Sequence, residues 1–238
     1  MTEGKEAPDA KPLPQIKKTF KTPAEIEAES MRLIEEELSA SGFFKKNNGR
    51  FSRDSLPFAV IRRVIHATAD FSFAENLCFA EESGLYDCFR SDRQDGANVV
   101  VCDTNMLLAG INKPALERHG LTAVCYMSDP ETVEAAQKKE TTRAVVSMER
   151  AAARFPAGIY AVGNAPTALT RIAGLIEEGK LAPALLIGVP VGFVNVVESK
   201  EHALKVCHEK KIPAILSMGR KGGSTVAAAI VNALLYYR

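Results

Sequence analysis

Residues 98–102, Asn-Val-Val-Val-Cys, form a short apolar run, and the polar residues Asp103-Thr104-Asn105 follow it at once. A continuous run of β-branched and other apolar residues of this length is typical of a strand buried on both faces. Similar runs recur at 122–126, 158–162, 184–187 and 213–217, and helical patterns alternate with them at 104–111, 131–154, 166–178, 198–210 and 222–236. The alternation predicts an α/β fold, with a mostly parallel sheet of about five strands and helices on both faces.

The segment before these runs predicts N-terminal helices. Thr22-Pro23-Ala24-Glu25 has the spacing of a capping box and opens a first helix, and Pro57 opens a second helix at roughly 56–68. The remaining segments read as a loop at 40–53, an ambiguous stretch at 69–80 and a helix at 81–93. Residues 1–21 are polar and rich in Lys and Pro, which predicts a disordered tail and leaves 22–238 as a single α/β domain.

Composition narrows the classes of function. The 238 residues include 30 basic and 29 acidic side chains, so no global field favours nucleic acid or a membrane surface. The N-terminus lacks the apolar core of a signal peptide, and no apolar run approaches the length of about 18 residues that spans a membrane. The 5 cysteines contain no C-x-x-C pair, which favours reduced thiols and a cytoplasmic protein. The 4 histidines show no metal-ligand spacing, so no metal site is expected.

Small and polar residues follow the predicted strands. Ligands of parallel sheets bind beyond the carboxyl ends of the strands, where this chain places Asn164 and the segments 163–167 and 188–193. The segment 219–225 has the strongest pattern, because Arg220 and Lys221 supply charge. Gly222, Gly223 and Ser224 follow them at the start of a helix.

This segment predicts an anion site, since exposed backbone amides and a helix N-terminus both attract negative charge. A tight turn with Ser224 as N-cap is the alternative. The chain has neither the Walker order nor G-x-G-x-x-G after a strand, which counts against nucleotide binding.

Arg63 and His66 share one face of the second helix, at i and i+3, and can together hold an anion and move a proton. Ser30 interrupts the apolar stripe of the first helix. It is either a packing residue bonded to its own backbone or a hydroxyl that faces a site. Arg143, before an apolar helical run, is either a solvated surface residue or a site residue.

Five motifs in this order resemble the precorrin-8X methylmutases (cobalt-precorrin-8 methylmutases) of corrinoid biosynthesis, over about residues 25–235. They are Arg63-Val64-Ile65-His66 with Asp70-Phe71, Asp103-Thr104-Asn105-Met106 leading to Ala109-Gly110-Ile111, Gly163-Asn164-Ala165-Pro166-Thr167-Ala168-Leu169, Gly188-Val189-Pro190-Val191-Gly192-Phe193-Val194 and Gly219-Arg220-Lys221-Gly222-Gly223-Ser224.

The resemblance implies a cofactor-independent isomerase that moves a methyl group from ring carbon 11 to ring carbon 12 of a corrin precursor. The product is hydrogenobyrinic acid or, with cobalt already inserted, cobyrinic acid. His66 matches the family's catalytic histidine. Ser30, Arg63 and, less closely, Arg143 match its substrate-binding residues. The family is typically homodimeric.

A flat macrocycle with acetate and propionate arms requires scattered cations and backbone donors. Arg63, Arg220, Lys221 and the amides near Gly222 can supply them, and the 188–193 loop can lie against the ring face. Two alternatives remain: a non-catalytic corrinoid carrier, and a phosphate- or nucleotide-binding α/β domain that uses 219–225.

Overall fold

A six-stranded sheet forms the centre of the protein in the computed structural model, which describes residues 22–47, 50–85, 87–88 and 98–237. The strands are β1 (Leu77–Ala80), β2 (Val99–Cys102), β3 (Thr122–Val124), β4 (Ile159–Val162), β5 (Leu185–Gly188) and β6 (Ala214–Ser217). Their spatial order is β1-β6-β5-β4-β2-β3. All neighbours are parallel except β1, which pairs antiparallel with β6 at one edge.

Helices cover both faces of this sheet. Within the described residues they are α1 (Pro23–Ala40), α2 (Phe43–Lys46), α3 (Leu56–Thr68), α4 (Phe73–Asn76), α5 (Glu82–Leu85), α6 (Asn105–Gly110), α7 (Lys113–Arg118), α8 (Pro130–Lys138), α9 (Arg143–Arg154), α10 (Pro166–Glu177), α11 (Val196–Lys210) and α12 (Ser224–Tyr236). On one face α12 packs against α3, α6 and α7, and on the other α10 packs between α9 and α11. None of the helices described is both long and apolar enough to cross a membrane.

The strands are buried on both faces, as their continuous apolar runs predict. Val100 and Ile159 pack into the core beneath α12, whereas their neighbours Val101 and Tyr160 pack into the core beneath α10. This alternation follows from the two-residue period of a strand. A run that is apolar at every position therefore supplies two cores, one on each side of the sheet.

The strand order reverses between β2 and β4, because β3 lies on one side of β2 and the later strands lie on the other. At such a reversal the two connections leave the sheet in opposite directions, which opens a crevice beyond the carboxyl ends of the strands. The segments that follow β2 and β4 meet there, and both lie against the start of α12.

All five predicted strands are present, which confirms the predicted fold class. The sixth strand, β1, lies within 69–80, where the sequence left helix and strand undecided. Leu77 in β1 pairs antiparallel with Ser217, 140 residues away along the chain. The pairing therefore depends on tertiary contacts that a local pattern does not contain.

The predicted helix 131–154 is wrong, because two helices occupy this segment. α8 ends before Glu140, whose backbone is left-handed at φ 50°, and Thr142 then caps α9 by accepting the N–H of Val145. The predicted loop 40–53 contains the short helix α2, and the sequence pattern does not predict α7. The predicted tail 1–21 lies outside the described residues. Of the predicted helix 81–93, residues 82–85 are helical, residues 81 and 87–88 form a bend and a turn, and 86 and 89–93 lie outside the described residues.

Candidate functional site

A groove of about 730 Å³ lies among α3, α6 and α12, on the face of the sheet that these helices cover. Its lining includes three of the predicted site residues, Arg63, His66 and Ser224. The other lining residues are Ala67, Met106, Ala109, Gly110, Ile111, Asn112, Thr225, Ala228, Ala229, Asn232 and Tyr236. The groove therefore combines a cation, an imidazole and the first turn of α12 with a mostly apolar wall.

His66 lies in the last turn of α3, one turn beyond Arg63, and its side chain is exposed to the groove. The helix is held in place by its apolar face, with Ile61, Val64 and Ile65 almost completely buried. Because these residues fix the rotation of α3, Arg63 and His66 face solvent together. An imidazole in this setting is placed to donate a proton to a ligand in the groove or to accept one from it.

Arg63 is already engaged by two neighbours. Its Nη1 lies 2.7 Å from Oε1 of Glu27 on α1. Its guanidinium carbon also lies 5.3 Å from the ring centroid of Tyr236, within the range of a cation–π contact. The two contacts hold the guanidinium at the edge of the groove.

The start of α12 borders the same groove. Its N-cap is Gly223, which has no side chain to accept the free N–H groups of the first helical turn. The hydroxyl of Ser224 bonds instead to Oγ1 of Thr104, 2.9 Å away, and Thr104 in turn caps α6. This contact joins the N-termini of two helices at the groove.

The segment 218–223, which we call the glycine loop, leads into α12. A Cβ on Gly222 would lie 2.1 Å from the carbonyl oxygen of Val189, so only glycine fits at this position. The N–H of Gly223 donates to the same carbonyl at 2.9 Å. The glycine loop is thus packed backbone to backbone against the segment after β5.

The charged side chains of the glycine loop do not line the groove. Arg220 lies over the ring of Phe193, 5.6 Å from its centroid, and both side chains are exposed. Lys221 donates through Nζ to Asp70 at 2.6 Å and to Ser72 at 2.8 Å. The hydrogen bond from Lys221, with those that Ser72 donates to the same carboxylate, holds the pKa of Asp70 at about 2, below its usual range.

Lys200, which the sequence did not single out, lies directly against the glycine loop. Its side chain is fully buried, and Nζ donates to Ser217 Oγ (3.2 Å), Gly219 O (2.8 Å) and Lys221 O (2.8 Å). Burial lowers the pKa of Lys200 to about 8. The sequence contained a signal, because Lys200 falls on the buried stripe of α11, four residues after Val196 and three before Ala203.

Asn164 lies at the crevice beyond β4, and its backbone is held by Asp103. The Asp103 carboxylate is buried and accepts the N–H groups of Gly163, Asn164 and Ala165 at 2.8–2.9 Å. Burial raises the pKa of this carboxyl, and the three N–H donors oppose the rise. The Asn164 side chain itself is exposed.

Ser30 and Arg143 also lie outside the lining of the groove. The Ser30 hydroxyl donates to the carbonyl of Ile26 at 2.9 Å, one turn earlier in α1. Ser30 lies one turn after Glu27, so it shares the helix face that reaches Arg63. Arg143 is the exposed first residue of α9, whose N-cap Thr142 contacts Thr167 at the start of α10. It therefore lies near the carboxyl-end rim of the sheet.

A second cavity, of about 520 Å³, contains none of the predicted site residues. It lies among the end of α1, α2 and α4, with Glu37, Phe43, Phe71 and Ser72 in its lining. Ser72 connects it to Lys221 of the glycine loop.

Comparison with known proteins identifies one family. A family model described as precorrin-8X methylmutase matches residues 25–237. A cobalt-precorrin-8 methylmutase of Priestia megaterium is 40% identical over 215 residues, which cover 89% of this chain and 87% of the relative. The Salmonella typhimurium enzyme of the same description is 41% identical over 216 residues, 90% of this chain and 95% of the relative. A solved precorrin-8X methyl mutase from Thermus thermophilus superposes with a TM-score of 0.69 at 34% identity, covering 88% of this chain and 95% of that one.

Proposed function

The chain belongs to the precorrin-8X methylmutase family and is an isomerase of cobalamin biosynthesis, and we propose that the groove among α3, α6 and α12 binds its tetrapyrrole substrate. One observation carries this proposal: Arg63, His66 and the uncapped start of α12 line a single groove. The reaction moves a methyl group from ring carbon 11 to ring carbon 12, so a carbon–carbon bond breaks and another forms within one molecule.

The substrate's acetate and propionate arms would be bound by cations and backbone donors around the groove. Arg63 can take one carboxylate in a bidentate manner, and the first-turn N–H groups of α12 after Gly223 can take another. Arms of the substrate that reach beyond the groove would be bound by the other predicted site residues, which are Ser30, Arg143, Asn164, Arg220 and Lys221. The apolar wall at Met106 and the exposed ring of Phe193 would contact the faces of the macrocycle.

His66 would handle the proton. A methyl shift within a conjugated ring requires a change in the ring's electron distribution, and protonation at the macrocycle supplies it. The exposed imidazole at the groove edge can reach a bound ring, donate its proton and recover it when the product forms. No proton is gained or lost overall, as an isomerisation requires.

Incubation of the purified protein with precorrin-8X, and separately with its cobalt form, tests this function. We expect a change in absorption spectrum and a product that co-elutes with hydrogenobyrinic or cobyrinic acid at unchanged mass. Tight binding of the product without conversion would indicate the carrier instead. An unaltered spectrum with both intact substrates would overturn the proposal.

We also propose that residues 22–238 act as one domain, located in the cytoplasm and paired with a second copy of the chain. The family match over 25–237 supports the single domain, and the buried thiols of Cys102 and Cys207 suit a reducing compartment. The dimer is supported by two apolar residues of α1, Ile26 and Leu33, which are about half exposed, at 52% and 51%. They are seven residues apart, so they share one face of the helix, which a partner could cover.

Light scattering after size exclusion tests the dimer. The unaltered chain should elute with twice the monomer mass, and Leu33→Glu should shift it towards the monomer. Glu36→Gln, also on α1, is the matched control and should leave the mass unchanged. A monomer mass for the unaltered chain would contradict the proposal.

A further inference from the structure

The hydrogen bonds of Lys200 identify its protonation state. The Ser217 hydroxyl donates its hydrogen to the carbonyl of Lys221, at 2.8 Å. Toward Lys200 it can therefore only act as an acceptor. The other two partners, Gly219 O and Lys221 O, are carbonyls that can only accept. Three acceptors require three N–H donors, which only the ammonium form of lysine has. Lys200 is therefore a buried cation.

This cation has no paired carboxylate among the described residues, and desolvation alone accounts for its lowered pKa. Within the described part of the chain, two carbonyl dipoles and one hydroxyl balance its charge. A buried charge without a counterion is costly. An anion bound on the other side of the glycine loop would reduce that cost, because the interior screens the attraction less than water does.

The two carbonyls also orient the glycine loop. The described peptide bonds are all trans, so each C=O and the N–H of the next residue point to opposite sides. With the carbonyls of Gly219 and Lys221 directed at Lys200, the N–H groups of Arg220 and Gly222 point away from it. Neither N–H has an acceptor within the described part of the chain.

We infer that Lys200 is a positioning residue for the substrate: it holds the glycine loop with the N–H groups of Arg220 and Gly222 presented to a carboxylate arm of the tetrapyrrole, and its charge strengthens that contact. The inference rests on the proposed function and adds a specific binding element to it. Lys200 touches the loop and not the substrate, so its effect belongs to binding and not to the methyl shift.

Lys200→Met, which keeps most of the length of the side chain and removes the charge and the donors, tests the inference. We expect KM for the tetrapyrrole to rise by about tenfold, the scale of one charged hydrogen bond, while kcat stays within about twofold. Lys205→Met is the matched control, since Lys205 is an exposed lysine of the same helix. It should leave both constants unchanged. An unaltered KM in Lys200→Met, or a fall in kcat alone, would overturn the inference.

Two further measurements separate a role of Lys200 in binding from a role in folding. A merely structural role would lower the thermal midpoint and the yield of folded enzyme, but it would not raise the KM of the enzyme that remains folded. If Lys200→Met does not fold, Ser217→Ala decides, because it removes one acceptor and keeps the cation: a raised KM supports the inference and an unchanged KM overturns it. Failure of the unaltered enzyme to convert either substrate would instead overturn the proposed function.

Discussion

The carboxylate of Glu27 lies 2.7 Å from the guanidinium of Arg63, so the cation that borders the groove is paired before any ligand binds. The side chains are 24% exposed for Arg63 and 48% exposed for Glu27, so water reaches both. Ion pairs of this kind contribute about 0–1 kcal/mol. If Arg63 binds a substrate carboxylate as we propose, that carboxylate would have to displace Glu27, and Glu27 would weaken binding as a competitor.

Glu27→Gln should tighten substrate binding. The change removes the competing charge and leaves Arg63 available, and a pair worth up to about 1 kcal/mol predicts an affinity gain of up to about fivefold. A spectral titration with hydrogenobyrinic acid measures it. Glu37→Gln removes the same charge farther along α1 and is the control. Equal effects of the two substitutions would show that overall charge, and not the pair with Arg63, controls affinity.

His66→Ala should retain substrate binding and lose turnover by about 100-fold or more, the usual scale for removal of a general acid or base. The substituted side chain is exposed, so folding should be unaffected. His202→Ala is the control, because His202 is a histidine of α11 that does not line the groove and whose Nε2 lies 3.1 Å from Glu177. Single-turnover absorbance measures the chemical step, and full activity of His66→Ala would remove His66 from catalysis.

The central strands and the pair of Arg63 and His66 were predictable because both depend on local patterns. Val99–Cys102 is apolar at every position, which a strand buried on both faces requires, and a spacing of three places Arg63 and His66 on one face of any helix. Their shared groove with Ser224 follows from the resemblance and from the strand-end rule, which brings distant segments to one edge.

The partners of the site cations were not predictable. Each contact comes from an element distant in sequence: Glu27 pairs with Arg63, Asp70 with Lys221, and the ring of Phe193 with Arg220. Each partner looks like an ordinary surface residue or core aromatic in its own segment. Such pairs depend on how the helices and loops pack, which spacing alone does not encode. Lys200 is intermediate, since its place on an apolar helix stripe indicated burial but not what it binds.

Gly222→Ala should weaken substrate binding and lower stability together. A Cβ at this position would lie 2.1 Å from Val189 O and 2.6 Å from Pro190 O, so the glycine loop must move. We expect a loss of about 1–3 kcal/mol in the free energy of unfolding, the range for overpacking a well-packed site. Gly174→Ala is the control, since its Cβ would meet nothing closer than 3.7 Å in the middle of α10. In Gly174→Ala the free energy of unfolding should instead rise by about 0.5–1 kcal/mol. Urea unfolding distinguishes the two outcomes.

The link between Lys221 and Asp70 predicts a specific acid dependence of stability. Hydrogen bonds from Lys221 and Ser72 hold the pKa of Asp70 at about 2 in the folded protein, against 3.8 for the unpaired group. Because the folded pKa is the lower one, the unfolded chain binds the proton more readily as pH falls. The carboxylate's contribution is therefore complete above the unfolded pKa and is lost as pH falls through the folded one.

Asp70→Asn should then destabilise the protein by a constant amount, below about 1 kcal/mol for so exposed a pair, from about pH 7 down to about pH 5. Below about pH 4 the difference should shrink, and near pH 2 little of it should remain. Urea unfolding of both proteins across this range measures the difference. Asp54→Asn removes a carboxylate that pairs with no cation among the described residues. Its stability relative to the unaltered chain should not show the change with pH expected for Asp70→Asn. A difference for Asp70→Asn that stayed constant to about pH 2 would mean that Lys221 does not hold this carboxylate, and the glycine loop would lack the anchor that connects it to the segment after α3.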